Sequence, residues 1–249
     1  MKRVSRGLWA GMSLLVVALS GCGFGPQVQG SGQLVQEERQ VPGFVTLSVE
    51  DGIETTVVVD PNQPRKVRLV GDDNLVALMQ TELQGTGLLS VHFRQQDVGS
   101  WRSNNPLRVE VTVPELQQLS HSGGGVVDVS GTVAGISGSF TLAVSGGGTA
   151  KVRGLETASF SLEVSGGGEV TAEGRSTRVR STMSGGSLLR ARELFVQEAE
   201  LTSSGGGSTE MRVSDTLRVT ASGGGAVRIA GQPTVLAKDL SGGSTLDFE

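Results

Sequence analysis

Four groups of residues in this 249-residue chain are of types that do chemistry. The first is the only thiol, Cys22, which closes the run Leu19-Ser20-Gly21-Cys22. The second is a set of carboxylates, Glu163, Glu169 and Glu173, spaced so that a coiled chain could bring them together on successive turns. Two carboxylates facing one another across a bond are what a glycosidase needs. The third is basic: Arg178, Arg180, Arg190 and Arg192 could line a stripe facing an anionic glycan, and with a general base they would suit a polysaccharide lyase. The fourth is polar and scattered. His92 and His121 have no second histidine or cysteine at ligand spacing, so no zinc site is expected. Asp72-Asp73-Asn74 suits turn and helix-cap duty better than cation binding.

Cys22 has the clearest reading. Lys2, Arg3 and Arg6 precede an apolar stretch over residues 8–19 that is too short to span a membrane comfortably. A charged start, a short apolar run and a cysteine after small residues resemble the bacterial lipoprotein signal. That resemblance implies cleavage before Cys22 and acylation of its thiol. With one cysteine in the chain no intrachain disulfide can form. Several acyl chains on one residue would hold a protein stably at a membrane, at about 0.8 kcal/mol per buried CH₂. Cleavage would leave 18 basic residues against 25 acidic ones, and that acidic balance argues against nucleic acid as a partner. Residues 23–32, rich in glycine and glutamine and without periodicity, read as part of a tether.

The elements that must position the carboxylates and arginines are set by a repeat. Ser-Gly-Gly begins at Ser122, Ser145, Ser165, Ser184, Ser204, Ser222 and Ser241, at intervals of 23, 20, 19, 20, 18 and 19 residues. A period near twenty is the mark of a solenoid with one supersecondary unit per turn. Flexible linkers are excluded by what lies between the glycines. Five and seven residues after each serine stand Val127/Val129, Ala150/Val152, Val170/Ala172, Leu189/Ala191, Thr209/Met211 and Val227/Ile229, alternating with polar neighbours. That is the pattern of a strand with one buried face. A second strand leads into each following Ser-Gly-Gly, with inward positions such as Phe140-Leu142-Val144, Phe160-Leu162-Val164 and Leu236-Lys238-Leu240. Wound up, this predicts an all-β parallel β-helix whose glycines stack at one corner, where positive φ or close backbone approach excludes a Cβ. Outward charges on neighbouring turns, such as Arg153 and Glu173, are expected to pair as a solvated surface.

The repeating glycines carry no chemistry of their own. A calcium-binding nonapeptide repeat would need aspartate where the chain has Val126, Thr149, Glu169, Leu188, Ser208 and Ala226. None of the glycine runs leads into a helix or a Lys-Ser/Thr pair, as a phosphate-binding loop would. No catalytic residue, metal site or cofactor is therefore expected.

Ahead of the repeats, alternation marks short strands at Val45-Leu47-Val49, Ile53-Thr55-Val57-Val59, Val67-Leu69, Leu89-Val91-Phe93 and Leu107-Val109-Val111-Val113. Residues 74–83 carry the one helical spacing, and 95–106 read as a polar loop. These irregular opening coils would cover the first turn of the solenoid. Val41-Pro42-Gly43-Phe44, Gly52-Ile53, Gly71-Asp72-Asp73-Asn74-Leu75, the segment from Val109 to Leu116 and the Ser-Gly-Gly-Gly repeats together resemble the putative auto-transporter adhesin head GIN domain family, a family of unknown function. The resemblance implies a right-handed parallel β-helix and, often, export or lipid anchoring, and it supplies no catalytic residues.

The expected organisation is a signal peptide at 1–21, a tether at 22–40 and a parallel β-helix at 41–249, with opening coils at 41–121 and the repeats at 122–249. The expected function is non-catalytic: a lipid-anchored, adhesin-like binding module of the bacterial cell envelope, at the outer membrane. Its expected partners are the membrane, through Cys22, and a glycan or envelope protein. The alternative is a carbohydrate-active enzyme, lyase or glycosidase, built on the same coil.

Overall fold

The computed structural model describes residues 25–85 and 87–249. The expected signal peptide and Cys22 lie outside the described residues.

Among the described residues, alternation of apolar and polar residues produces strands throughout, interrupted by one short helix. The opening part contains β1 (Gln27–Gln29), β2 (Leu34–Arg39), β3 (Thr46–Val49), β4 (Glu54–Val59), β5 (Lys66–Asp72), α1 (Asp73–Val76), β6 (Met79–Gln84), β7 (Leu88–Phe93), β8 (Ser100–Arg102), β9 (Arg108–Val113) and β10 (Gln118–His121). The repeats contain β11 (Val126–Gly131), β12 (Ser139–Gly146), β13 (Thr149–Gly166), β14 (Glu169–Gly185), β15 (Leu188–Gly205), β16 (Ser208–Gly223), β17 (Ala226–Ala230), β18 (Thr234–Leu240) and β19 (Thr245–Phe248). They wind into a β-solenoid of about 7 turns with about 20 residues per rung. From β13 to β16 a single strand bends around all three sides of each rung, and its in-register partner lies one rung away in parallel.

The expected inward positions are the core. Phe140, Phe160, Leu142, Leu162, Val144 and Val164 are all at most 2% exposed, and the rings of Phe140 and Phe160 stack at 5.9 Å. The alternate residues, among them Glu163, face water. At the last turn the pattern departs from expectation. No described strand pairs with the far edge of β18 and its 234–239 segment is exposed; a register slip sets Val235 rather than Leu236 opposite Leu217, while Lys238 keeps its expected place opposite Val219.

The rungs of the opening part are stacked out of sequence order. Leu47 on β3 faces Leu89 on β7 across one edge and Leu119 on β10 across the other. Val57 on β4 likewise faces Val111 on β9 and Val129 on β11. The rung at 46–59 is therefore held between the rung at 88–113 and the rung at 118–131. The outer edge of 88–113 is closed by antiparallel strands: β5 pairs with β9, β2 with β5, and β6 with β7.

Two expectations for this part, and one for the repeats, are corrected. The helix expected over residues 74–83 is only α1; from Met79 the chain is β6, because the free edge of β7 takes it up as an antiparallel partner. Part of the segment read as tether is folded. Residues 34–39 add β2 to the closing edge, and 27–29 pair as β1 with β8, inside the stretch expected to be loop. The outward charges pair, but with different partners: Arg153 meets Asp128 at 2.5 Å, and Glu173 meets Lys151 at 3.6 Å.

Each glycine of the corner has its own reason. In the repeat at Ser204, Gly205 has φ +115°, and a Cβ there would drive into the Gly185 carbonyl of the previous rung. Gly206 has open space around it. The third position abuts the previous rung again, yet Ser187 fits there because its hydroxyl turns back to donate to the Ser184 carbonyl at 2.7 Å.

Candidate functional site

The residues that could have made a catalytic cleft are dispersed, and all of them but Glu163 are ion-paired. Glu163 projects from the second side of its rung, whereas Glu169 and Glu173 project from the first. Glu169 accepts an ion pair from Arg190 at 2.8 Å. On the second side, Arg178 meets Glu198 at 2.8 Å and Arg180 meets Glu200 at 2.7 Å, each one rung on. On the first side Arg192 lies between Glu210 at 3.1 Å and Glu249 at 2.5 Å, and Glu249 leads in raising its already high pKa. The stripe of arginines is thus two ladders of cross-rung ion pairs on two flat faces. Exposed pairs of this kind contribute little stability each and leave no free charge to act on a substrate.

The other polar residues serve the framework. His121 points inward, 2% exposed, and its Nε2–H donates to the Ile53 carbonyl at 2.8 Å. Burial pushes its imidazole below the usual histidine range, against the pull of that carbonyl. His92 Nδ1 lies 3.2 Å from the Ser90 hydroxyl. Asp72 is buried and accepts from the Ser103 hydroxyl at 2.5 Å and from the Asn105 amide, which together hold its carboxyl below the ordinary range. Asp73 accepts from Ser31 Oγ at 2.5 Å, and Asn74 accepts from the Ser31 N–H at 2.9 Å and donates to the Gln29 carbonyl at 2.8 Å. The Asp-Asp-Asn run therefore stitches the N-terminal segment to the closing end of the coil. Among the described residues no group of three or more potential ligands could hold a metal ion.

Two of the depressions on the surface of the coil bring candidate binding groups together. One, of about 260 Å³, lies over the second side, where Ser48, Ser120 and Ala143 make a small-residue floor beside Glu50 and Glu163. The other, of about 550 Å³, lies along the third, short side. There Arg175, Phe195 and Arg212 occupy in-register positions on three consecutive rungs, with Glu156 one rung earlier. Phe195 is 49% exposed, and the Arg212 guanidinium carbon lies 4.9 Å from its ring centroid. Neither Arg175 nor Arg212 forms an ion pair among the described residues.

This constellation was not legible from the repeat spacing. The rungs differ in length on the third side: β15 inserts residues 192–194 where β16 passes directly from Met211 to Arg212. Counting from each serine therefore loses register before it reaches Phe195. The usable signal was an aromatic residue at a position the alternation leaves outside.

The chain was compared with known proteins. The family model described as putative auto-transporter adhesin, head GIN domain, matches residues 43–233. Among solved structures, a putative adhesin from Bacteroides fragilis NCTC 9343 is similar with a TM-score of 0.78 at 20% identity, covering 89% of this chain and 98% of that one. A structure titled putative lipid binding protein, from Parabacteroides distasonis ATCC 8503, gives 0.72 at 16%, covering 90% and 100%. A putative adhesin from Parabacteroides merdae ATCC 43184 gives 0.69 at 17%, covering 90% and 99%. Likeness at these identities concerns the fold. No curated protein matches the chain.

Proposed function

The chain belongs to the putative auto-transporter adhesin, head GIN domain family, and from that premise we propose that it is a non-catalytic binding module of the bacterial cell envelope, tethered by lipid at Cys22. One observation supports the non-catalytic reading above the rest. The acidic and basic residues that a lyase or glycosidase would gather into one cleft are spread over separate faces, and the arginines among them are paired rung to rung. Such faces suit docking against an extended partner, and a solenoid offers them at constant pitch. Structures of the same fold bear names that speak of adhesion and of lipid binding, which is consistent with a binding role at the envelope.

The tether rests on Leu19-Ser20-Gly21-Cys22 after a charged and an apolar segment. Its acyl chains would hold the protein at the outer membrane, with the glycan or envelope protein it binds reached by the coil. Expression of the full chain in a bacterial host, followed by intact-mass measurement, tests the anchor. The wild type should start at Cys22 with acyl mass added, and Cys22→Ala should remain uncut and unacylated. Unmodified protein beginning elsewhere would refute the anchor. Turnover of any envelope polysaccharide by the purified chain would refute the non-catalytic reading.

A further inference from the structure

The third-side groove carries an arrangement that the rest of the coil lacks. Elsewhere in the repeats, six of the seven arginines on the flat faces are answered by carboxylates: Arg153, Arg178, Arg180, Arg190, Arg192 and Arg228 each meet one, and Arg218 alone does not among the described residues. Arg175 and Arg212 meet none among the described residues, although Glu156 stands in register beside Arg175. Between these two cations, at the spacing of adjacent rungs, lies the exposed ring of Phe195. The groove thus combines a half-exposed aromatic ring, one guanidinium stacked on it and a second guanidinium beside it, neither with a counter-charge among the described residues.

Resting on the reading of the protein as a surface binding module, we propose that the Arg175–Phe195–Arg212 groove is its subsite for a carboxylated sugar. The chemistry matches part by part. A guanidinium presents paired N–H donors that fit a carboxylate bidentately. The C–H face of a pyranose packs against an aromatic ring, and Phe195 offers its exposed surface with Arg212 already fixed over the ring. Thr177 and Gln197 line the same groove and supply hydroxyl and amide groups for ring hydroxyls. A volume of about 550 Å³ lies within the range of ligand pockets. Glu156 at one end would accept hydroxyl donors and repel a second carboxylate, which sets the polarity of an extended chain in the groove.

The test is calorimetric titration of the full-length chain, in detergent, with a tetragalacturonate probe. Saturable binding is expected, weakened at least about tenfold in Arg175→Ala/Arg212→Ala and at least about fivefold in Phe195→Ala. Arg190→Ala/Arg192→Ala, on a paired ladder, should stay within about twofold, and circular dichroism should show all variants folded. Equal binding of neutral cellotetraose, or full competition by inorganic phosphate at equal concentration, would overturn the assignment to a carboxylated sugar. Absence of saturation at about 5 mM probe would overturn it as well. Tetragalacturonate binding that survives both groove variants would remove this subsite while leaving a surface-binding role in place.

Discussion

The rung at 46–59 and a rung such as that of β15 look alike in cross-section but are held in different ways. The β15 rung leans on neighbours about twenty residues away in both directions, with Leu201 stacked on Ser181 and Val219. The rung at 46–59 leans on segments that follow it by 42 to 54 residues on one edge and 72 on the other, and the chain must pass it twice to cover both edges. Around it the contacts are heterogeneous: antiparallel edges, the buried Asp72 network, and Glu110 between Arg68 and Arg108. Repetition holds one region and specific pairing holds the other. A repeat array should therefore tolerate changes in number, and the opening coils should not.

Deletions separate the two most sharply. Removing residues 185–204 joins Ser184 to Gly205 in phase, because Gly185 and Gly205 are in-register equivalents. That variant should be recovered folded, with strand content per residue unchanged by circular dichroism. Removing 46–59 should yield no soluble folded protein, since both flanking rungs lose their partner. Recovery of the second variant in folded form would break the comparison.

Within the repeats, the side-chain ladder should carry the energy. Leu162→Ala, at a position 1% exposed, should cost about 2–5 kcal/mol in chemical denaturation. Glu163→Ala, one residue on and facing water, should change stability by no more than about 0.5 kcal/mol. The corner should discriminate almost as finely. Gly205→Ala should cost at least about 1–3 kcal/mol from backbone strain, whereas Gly206→Ala has room for its methyl and should be near neutral.

Acid gives the gentlest test. Burial opposes ionisation of Glu110, but hydrogen bonds from Arg68 and Arg108 outweigh it and hold its carboxyl below the usual range, as Ser103 and Asn105 do for Asp72. A depressed carboxyl contributes stability above its unfolded value, about pH 4, and that contribution is lost as pH falls through the folded value. The lowered imidazole of His121 acts in the same sense from about pH 6.5 downward. Hydrogen exchange measured at falling pH should therefore show β5 and β9 losing protection before β14 and β15. Loss in the opposite order would show that specific pairing is not what holds the opening coils.

The same contrast explains what the sequence made legible. The Ser-Gly-Gly period, the inward Leu162 and the outward Glu163 follow from alternation and corner geometry, which are local. The helical spacing of Leu75, Leu78 and Met79 misled because Met79 to Gln84 pair with the next strand, β7, as an antiparallel hairpin, which apolar spacing alone does not distinguish from a helix. The pairing of β2 with β5, and the placing of 46–59 between later rungs, are non-local and leave no periodic trace. Of the candidate site, the outward placement of the arginines was readable from alternation, whereas their glutamate partners one rung away depend on which rungs meet in register, which alternation does not encode. Phe195 was missed because rung length varies on the side where it stands.

The doubly covered rung also gives the coil an origin. Everything that precedes it in space is closed by antiparallel strands, so any gain or loss of repeats in evolution is confined to the other direction. Each added unit of about twenty residues would advance the free end by about 4.8 Å and leave the origin as it was. The protein is in that sense a ruler with a fixed zero: its reach can be reset in equal steps by copying a unit, without redesigning the closed end.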